Sequence, residues 1–269
     1  MHKQEELYSN KIFFNAALPL IKVIANDVPS LKKQFERVHA IIQVTALDED
    51  AEGGKIGMHY VVNGEEWLVH LNAVDPNPTV ELEFKSVEAM NAFFKGKIGP
   101  ATLPKMKGVV KNFGVFKAFL MTLLKMSSLL GATEIPKDED TKELMVKCMF
   151  YLLSSGISQL NKMGHTEIHD WASKSPDRVY AWAVNGYPQI SAYLRVKAGK
   201  SRAGRGEYKR AMPFFTLRFD SLDSALGILL GIDDMLEAVK RGRLIMEGAP
   251  EFGGQIGGYM LEVGALAKA

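Results

Sequence analysis

His165 and His169 stand four residues apart, which puts both imidazoles on one helix face at the spacing of a metal-ligand pair. The metalloprotease form of that pair needs Glu directly after the first His; Thr166 holds the place and no third ligand follows, so two surface histidines beside a helix end is the plainer reading. Gly199-Lys200-Ser201 ends like a phosphate-binding loop. That loop requires a glycine five residues ahead of its Gly-Lys-Ser, where this chain has Leu194. The basic stretch itself, residues 195–210, holds Arg195, Lys197, Lys200, Arg202, Arg205, Lys209 and Arg210 against Glu207 alone, a local +6 in a chain whose net charge is +2. It is suited to anionic lipid headgroups or to the phosphates of a CoA ligand; the alternative is a solvated hairpin tip. Nucleic acid is disfavoured, because only Tyr208 is there to stack on a base. No Ser/His/Asp set, carboxylate pair or cofactor fingerprint is visible. The expectation is a non-enzyme with no catalytic residue, cofactor or metal.

The elements that must carry these residues follow from periodicity. Residues 5–26 read as an amphipathic helix kinked at Pro19, and residues 30–46 as a second helix. Residues 55–62 and 66–71 read as a hairpin around Asn63-Gly64. Residues 132–140, with glycine, proline and a charge run, read as a linker, dividing the chain into domains at 1–131 and 141–269. Helices are expected over 141–162 and 166–172, and a second hairpin, 179–184 with 189–196, around Asn185-Gly186. Residues 213–266 then read as strand, helix, helix, strand, helix. Phe215, Leu217 and Phe219 alternate in the first strand, Ser221 caps a helix that Gly231 ends, and Leu244–Met246 forms the last strand. One cysteine, Cys148, forbids an intramolecular disulfide; with no leader-like N-terminus and no uncharged apolar run of spanning length, a cytoplasmic protein is expected. Phe113–Leu130 is the most apolar segment, interrupted by Lys117 and Lys125, and suits either a closing core helix or a membrane interface.

The layout repeats. Pro78, Leu82, Phe84, Ser86 and Gly96 each lie 135 residues before Pro213, Leu217, Phe219, Ser221 and Gly231. Lys107-Gly108 pairs with Arg241-Gly242 and Gly114 with Gly248 at 134; Phe13-Phe14 pairs with Phe150-Tyr151, and the Asn63-Gly64 turn with Asn185-Gly186. The sequence therefore reads as a tandem duplication, with 13 extra residues of the second copy falling in 198–209.

On the runs at 82–96 and 217–231 (apolar strand, Ser, acidic residue, helix, Gly) and at 106–114 and 240–252 (basic residue, Gly, strand, Gly, final helix), the chain resembles the sterol carrier protein family of small lipid-binding domains, twice over. The resemblance implies an α+β fold: two tandem domains, each a mostly antiparallel, about five-stranded sheet covered by helices around an apolar tunnel. It implies binding, with or without transfer, of a fatty acid, acyl-CoA, sterol or phospholipid, with peripheral contact to anionic membrane. The ligand-lining residues expected are Leu226, Leu229, Leu230, Met235, Met246, Gly254, Gly258 and Leu261 in the second copy, and Met90, Phe93, Phe116 and Leu120 in the first; Arg195, Lys197, Lys200, Arg202 and Arg205 are expected at the headgroup. The rival readings are a protein-interaction or scaffolding module and an accessory subunit of an enzyme acting on hydrophobic substrates. Gly253, Gly254, Gly257 and Gly258 give the final helix smooth faces, which either admit a neighbouring backbone or leave room for a ligand. Each glycine costs about 1 kcal/mol of helix propensity against Ala. The second copy is therefore expected to hold the roomier site.

Overall fold

The computed structural model, which describes residues 3–267, places a strand at the centre of the first sheet where the periodicity predicts a helix. His39–Leu47 is that strand, and the helix before it stops at Phe35. Ile42, Val44 and Ala46 point into the core, while Gln43 and Thr45 on the opposite face are also fully buried. A strand covered on both sides loses its polar alternation, and a run such as His-Ala-Ile-Ile-Gln-Val-Thr-Ala-Leu then looks like an extension of the helix.

The chain divides into one unit of residues 3–128 with 265–267 and a second, Leu129–Gly264. The first runs α1 (Gln4–Ile12), a π-helical turn (Phe13–Ala17) ahead of Pro19, α2 (Leu20–Asp27), α3 (Pro29–Phe35), β1 (His39–Leu47), β2 (Lys55–Asn63), β3 (Glu66–His70), β4 (Val80–Phe84), α4 (Val87–Phe94), β5 (Lys105–Lys107) and α5 (Phe113–Leu130). The second runs α6 (Glu139–Lys162), α7 (Thr166–Lys174), β6 (Arg178–Val184), a 3-10 turn (Pro188–Ile190), β7 (Ala192–Lys197), β8 (Lys200–Arg205), β9 (Phe215–Phe219), α8 (Leu222–Leu229), α9 (Met235–Lys240), β10 (Leu244–Glu247) and α10 (Pro250–Ala267). Each unit holds a five-stranded sheet, ordered β3-β2-β1-β4-β5 and β10-β9-β6-β7-β8. Both sheets are mixed: β1–β4 and β6–β9 are parallel, and the other pairings are antiparallel.

The local chemistry that starts and stops the central elements is the same in both units. Ser86 Oγ accepts from the Ala89 amide at 3.1 Å and Ser221 Oγ from the Ser224 amide at 3.2 Å, each capping the helix after the parallel strand. Gly96 and Gly231 end those helices.

Three sequence correspondences are corrected by the topology. Asn63-Gly64 turns β2 into β3, but the β7–β8 turn is Ala198-Gly199; Asn185-Gly186 instead opens the longer connection from β6 to β7. Gly64 and Gly199 are 135 apart, the same interval as Ser86 and Ser221, so the 13 surplus residues do not lie in 198–209, which instead holds β8. The strand expected after Gly108 precedes it, as β5, whereas Gly242 precedes β10. The partner of Gly108 is therefore Gly248. A Cβ on Gly108 would meet the Thr79 carbonyl oxygen at 2.1 Å, and one on Gly248 the Phe214 carbonyl oxygen at 3.0 Å; Thr79 and Phe214 are again 135 apart. Gly114 lies inside α5 and has no such role.

In the first unit Phe84, Tyr60, Phe119 and Met90 fill the space between sheet and helices, and the Tyr60 hydroxyl donates to the Leu18 carbonyl at 2.6 Å. In the second, Trp182 is fully buried, its indole N–H 3.2 Å from Met260 Sδ, and α6 approaches α10 closely enough that a Cβ on Gly156 would lie 2.5 Å from Val263 Cγ1. Cys148 is fully buried in α6.

Candidate functional site

A groove of about 670 Å³ opens in the second unit between α7 and α10. The α10 residues that border it, Phe252, Gly254, Gln255, Gly258, Tyr259 and Glu262, recur every three or four positions and so form one helical stripe. From α7 and the residues flanking it come His165, Glu167, Asp170, Trp171, Lys174 and Ser175, and from β6 Arg178. The helix α7 stands there because Ile168 and Ala172 bury its inner face.

The four glycines of α10 divide between two jobs. A Cβ on Gly253 would lie 2.4 Å from Met246 Sδ and 3.3 Å from Phe215 Cζ, and one on Gly257 3.3 Å from Met235 Cε, so that face is packed. A Cβ on Gly254 or Gly258 would meet nothing within 4 Å. These two border the groove, and the open space beside them is part of it.

The wall is aromatic. The Trp171 ring lies 5.1 Å from Tyr259 and 5.3 Å from Tyr180, and Phe252 lies 4.9 Å from Phe214. Burial, helped by the charge of Glu167, pushes the Tyr259 hydroxyl up to about 12, so it stays protonated at neutral pH. The Tyr180 hydroxyl is buried with no hydrogen-bond partner among the described residues.

Over this wall sits Arg178, its Cζ 4.0 Å from the Phe214 ring centroid and 5.1 Å from that of Phe252. Of the other charged side chains of the groove, Glu167 has no ion pair among the described residues. Lys174 is paired with Asp170 at 2.7 Å and His165 Nε2 lies 3.3 Å from Glu262. No carboxylate of the described residues pairs with Arg178. The groove thus joins an aromatic wall and a glycine-lined opening to a guanidinium free of carboxylate contact, a combination suited to an apolar body whose anionic end meets Arg178 and stays clear of Glu167.

Of the residues expected to line a ligand site, Gly254 and Gly258 are at this groove. Met235 and Met246 pack on the other glycine face of α10. Leu226 and Met90 are fully buried in their cores, Leu229, Leu230, Phe93 and Phe116 are half-buried, and Leu120 and Leu261 face solvent. Among the headgroup residues, Arg195 is held by a two-pronged pair with Asp177, with Nε at 2.7 Å, which keeps that carboxyl at about 2; Lys197 reaches the same carboxylate at 3.4 Å. Arg205 stacks over Tyr151 at 4.9 Å, while Lys200 and Arg202 are exposed on the edge strand β8. The two histidines diverge: His169 Nδ1 turns back to Asn161 and His165 joins the groove. Among the described residues no group of three or more His, Cys, Asp or Glu could hold a metal ion. Sequence reasoning misses Trp171, Arg178, Phe252 and Tyr259. The signals that fall on the site are the glycine spacing and His165, and neither outlines it, because its two walls lie some eighty residues apart in the chain.

A second polar constellation lies on the outer face of the first sheet. Glu81, 3% exposed, accepts from Thr45 Oγ1 at 2.7 Å, Lys55 Nζ at 2.9 Å, Gln43 Nε2 at 3.1 Å and Lys107 Nζ at 3.2 Å, and both lysines also reach Glu83. Burial alone would raise its pKa, but these donors overcome it and hold the carboxyl at about 2. With every partner satisfied, this cluster reads as a fastening of β1, β2, β4 and β5.

The chain matches no family model and no curated protein. By structure it is similar to a conserved hypothetical protein of Thermus thermophilus suggested to be a sterol carrier protein (20% identity, 45% of this chain, 92% of that one, TM-score 0.30). It is also similar to sterol carrier protein 2 (21%, 44%, 97%, 0.28) and to the UbiJ-SCP2 ubiquinone synthesis protein (18%, 44%, 96%, 0.28).

Proposed function

We propose that the protein binds an amphipathic lipid without chemical turnover, and that the α7–α10 groove of the second unit is the site. The observation that carries this reading is Arg178, an arginine with no carboxylate partner among the described residues, laid over the aromatic wall of a groove sized for a small molecule. The acyl body lies along Trp171, Phe252 and Tyr259 beside the open face of Gly254 and Gly258, and the carboxylate or phosphate meets Arg178. Burial of the chain supplies about 0.8 kcal/mol per methylene. This favours a fatty acid, acyl-CoA or phospholipid over a sterol, which lacks the anionic end. The recurring interval of 135 residues through Gly64/Gly199, Thr79/Phe214, Ser86/Ser221 and Gly96/Gly231 supports the companion proposal that the two units are copies of one ancestral domain.

Gly258→Leu and Gly253→Leu test the site as a pair. Gly258→Leu projects into the groove: the variant is expected to fold normally, gaining up to about 1 kcal/mol of helix propensity, and to lose uptake of a fluorescent fatty acid. Gly253→Leu drives into Met246 and Phe215 and is expected to cost about 1–3 kcal/mol. Normal uptake by Gly258→Leu refutes the groove as the binding site.

A further inference from the structure

One stretch of the first unit differs from the rest of the chain in charge. Residues 95–125 contain seven lysines and no acidic residue, so everything else in this +2 chain sums to −5. Lys97, Lys105, Lys111 and Lys117 are exposed and have no ion pair among the described residues; Lys107, by contrast, is bound to Glu81 and Glu83. The same stretch shows large apolar side chains to solvent. Val110 is 97% exposed, Phe113 64% and Leu124 61%, with Leu103, Met106 and Leu120 also exposed. Phe113, Lys117, Leu120 and Leu124 recur at helical spacing along the outer face of α5.

The opposite face of α5 is fixed. Ala118, Phe119, Thr122, Leu123 and Met126 are buried in the protein. By length and composition alone α5 could cross a membrane, yet 39% of it is buried inside the protein. A helix held on one side by its own core, with lysines beside an exposed apolar face, is built to lie on a bilayer. The charge selects which one: lysines unmatched by any acid complement an anionic surface, each worth about a fivefold gain in partitioning near such lipids.

We infer that residues 95–125 form a docking surface for an anionic lipid bilayer, with Phe113, Leu120 and Leu124 entering the headgroup boundary and the free lysines meeting lipid charge. This surface shares no residue with the α7–α10 groove and stands without it.

The test is sedimentation of the full chain with phosphatidylcholine vesicles, with and without phosphatidylglycerol. The chain is expected to prefer the anionic vesicles and to be released as salt rises from physiological to molar, since exposed charges are then screened. Lys111→Glu with Lys117→Glu should weaken anionic-vesicle binding at least about tenfold. Arg202→Glu, on the exposed edge strand of the other unit, should retain most of it. A Phe113→Trp variant gives a second readout: its added emission should be quenched by brominated acyl chains in anionic vesicles. Equal binding to both vesicle types, full binding by the double lysine variant, loss with Arg202→Glu alone, or an unquenched signal from the introduced indole each overturns the proposal. Gly258→Leu should still sediment with vesicles, and the double lysine variant should still take up soluble fatty acid, so this proposal and the groove fail separately.

Discussion

Glu81 carries the most concentrated electrostatic work of any single side chain in the first unit. Its carboxyl titrates at about 2 in the folded protein against an ordinary value of 4.5. A depressed carboxylate contributes its full stabilisation above pH 4.5 and loses it as pH falls toward 2, here on the order of 3 kcal/mol. Urea unfolding of the wild type, followed at the buried Trp67 of the first unit, should therefore show stability dropping across that window. Glu81→Gln should already be destabilised at neutral pH and nearly flat through the same range. Tyr180 predicts the opposite sign. Its buried hydroxyl has no hydrogen-bond partner among the described residues, so Tyr180→Phe should raise the stability of the second unit by about 1 kcal/mol, read as a higher urea midpoint at unchanged slope.

Among the elements, the closing strands depend on a glycine pressed against the backbone before the parallel strand. Gly108 has φ of +74° and its Cβ position is blocked by the Thr79 carbonyl; Gly96 has φ of +82° but open space around it. Gly108→Ala should thus cost more than Gly96→Ala, about 3 kcal/mol against 1, measured by thermal melting. Neither this contact nor its counterpart at Gly248 was legible in the sequence, where equal spacing drew Gly108 toward Gly242 instead. The parallel strands, their serine-capped helices and the final helices were legible, because Leu82, Phe84, Leu217 and Phe219 alternate with polar residues and the caps follow at once. The central strand β1 was not: buried on both faces, it has no alternation to read. Beyond Gly254, Gly258 and His165, the groove escaped for another reason. Arg178 and Phe252 are ordinary residues in sequence and acquire meaning only when β6 and α10 bring them within 5.1 Å.

Across the whole molecule, each unit has its own sheet and its own buried core, and the buried acid-sensitive carboxylate, Glu81, belongs to the first; the depressed carboxylates of the second, Asp177 and Glu247, are solvent-screened and count for less. Calorimetry is expected to resolve two transitions as pH approaches 3, with the first unit melting earlier. The second unit also carries its own clock. The chain has one thiol, Cys148, and no part of it reaches solvent while α6 stays in place. An alkylating reagent can modify it only when the packing around α6 opens, so the rate of covalent labelling counts those openings. An occupant of the groove must slow that count. With fatty acid at about a hundredfold over its dissociation constant, labelling of Cys148 should fall about a hundredfold, which reports occupancy of a spectroscopically silent ligand by the mass of the protein alone.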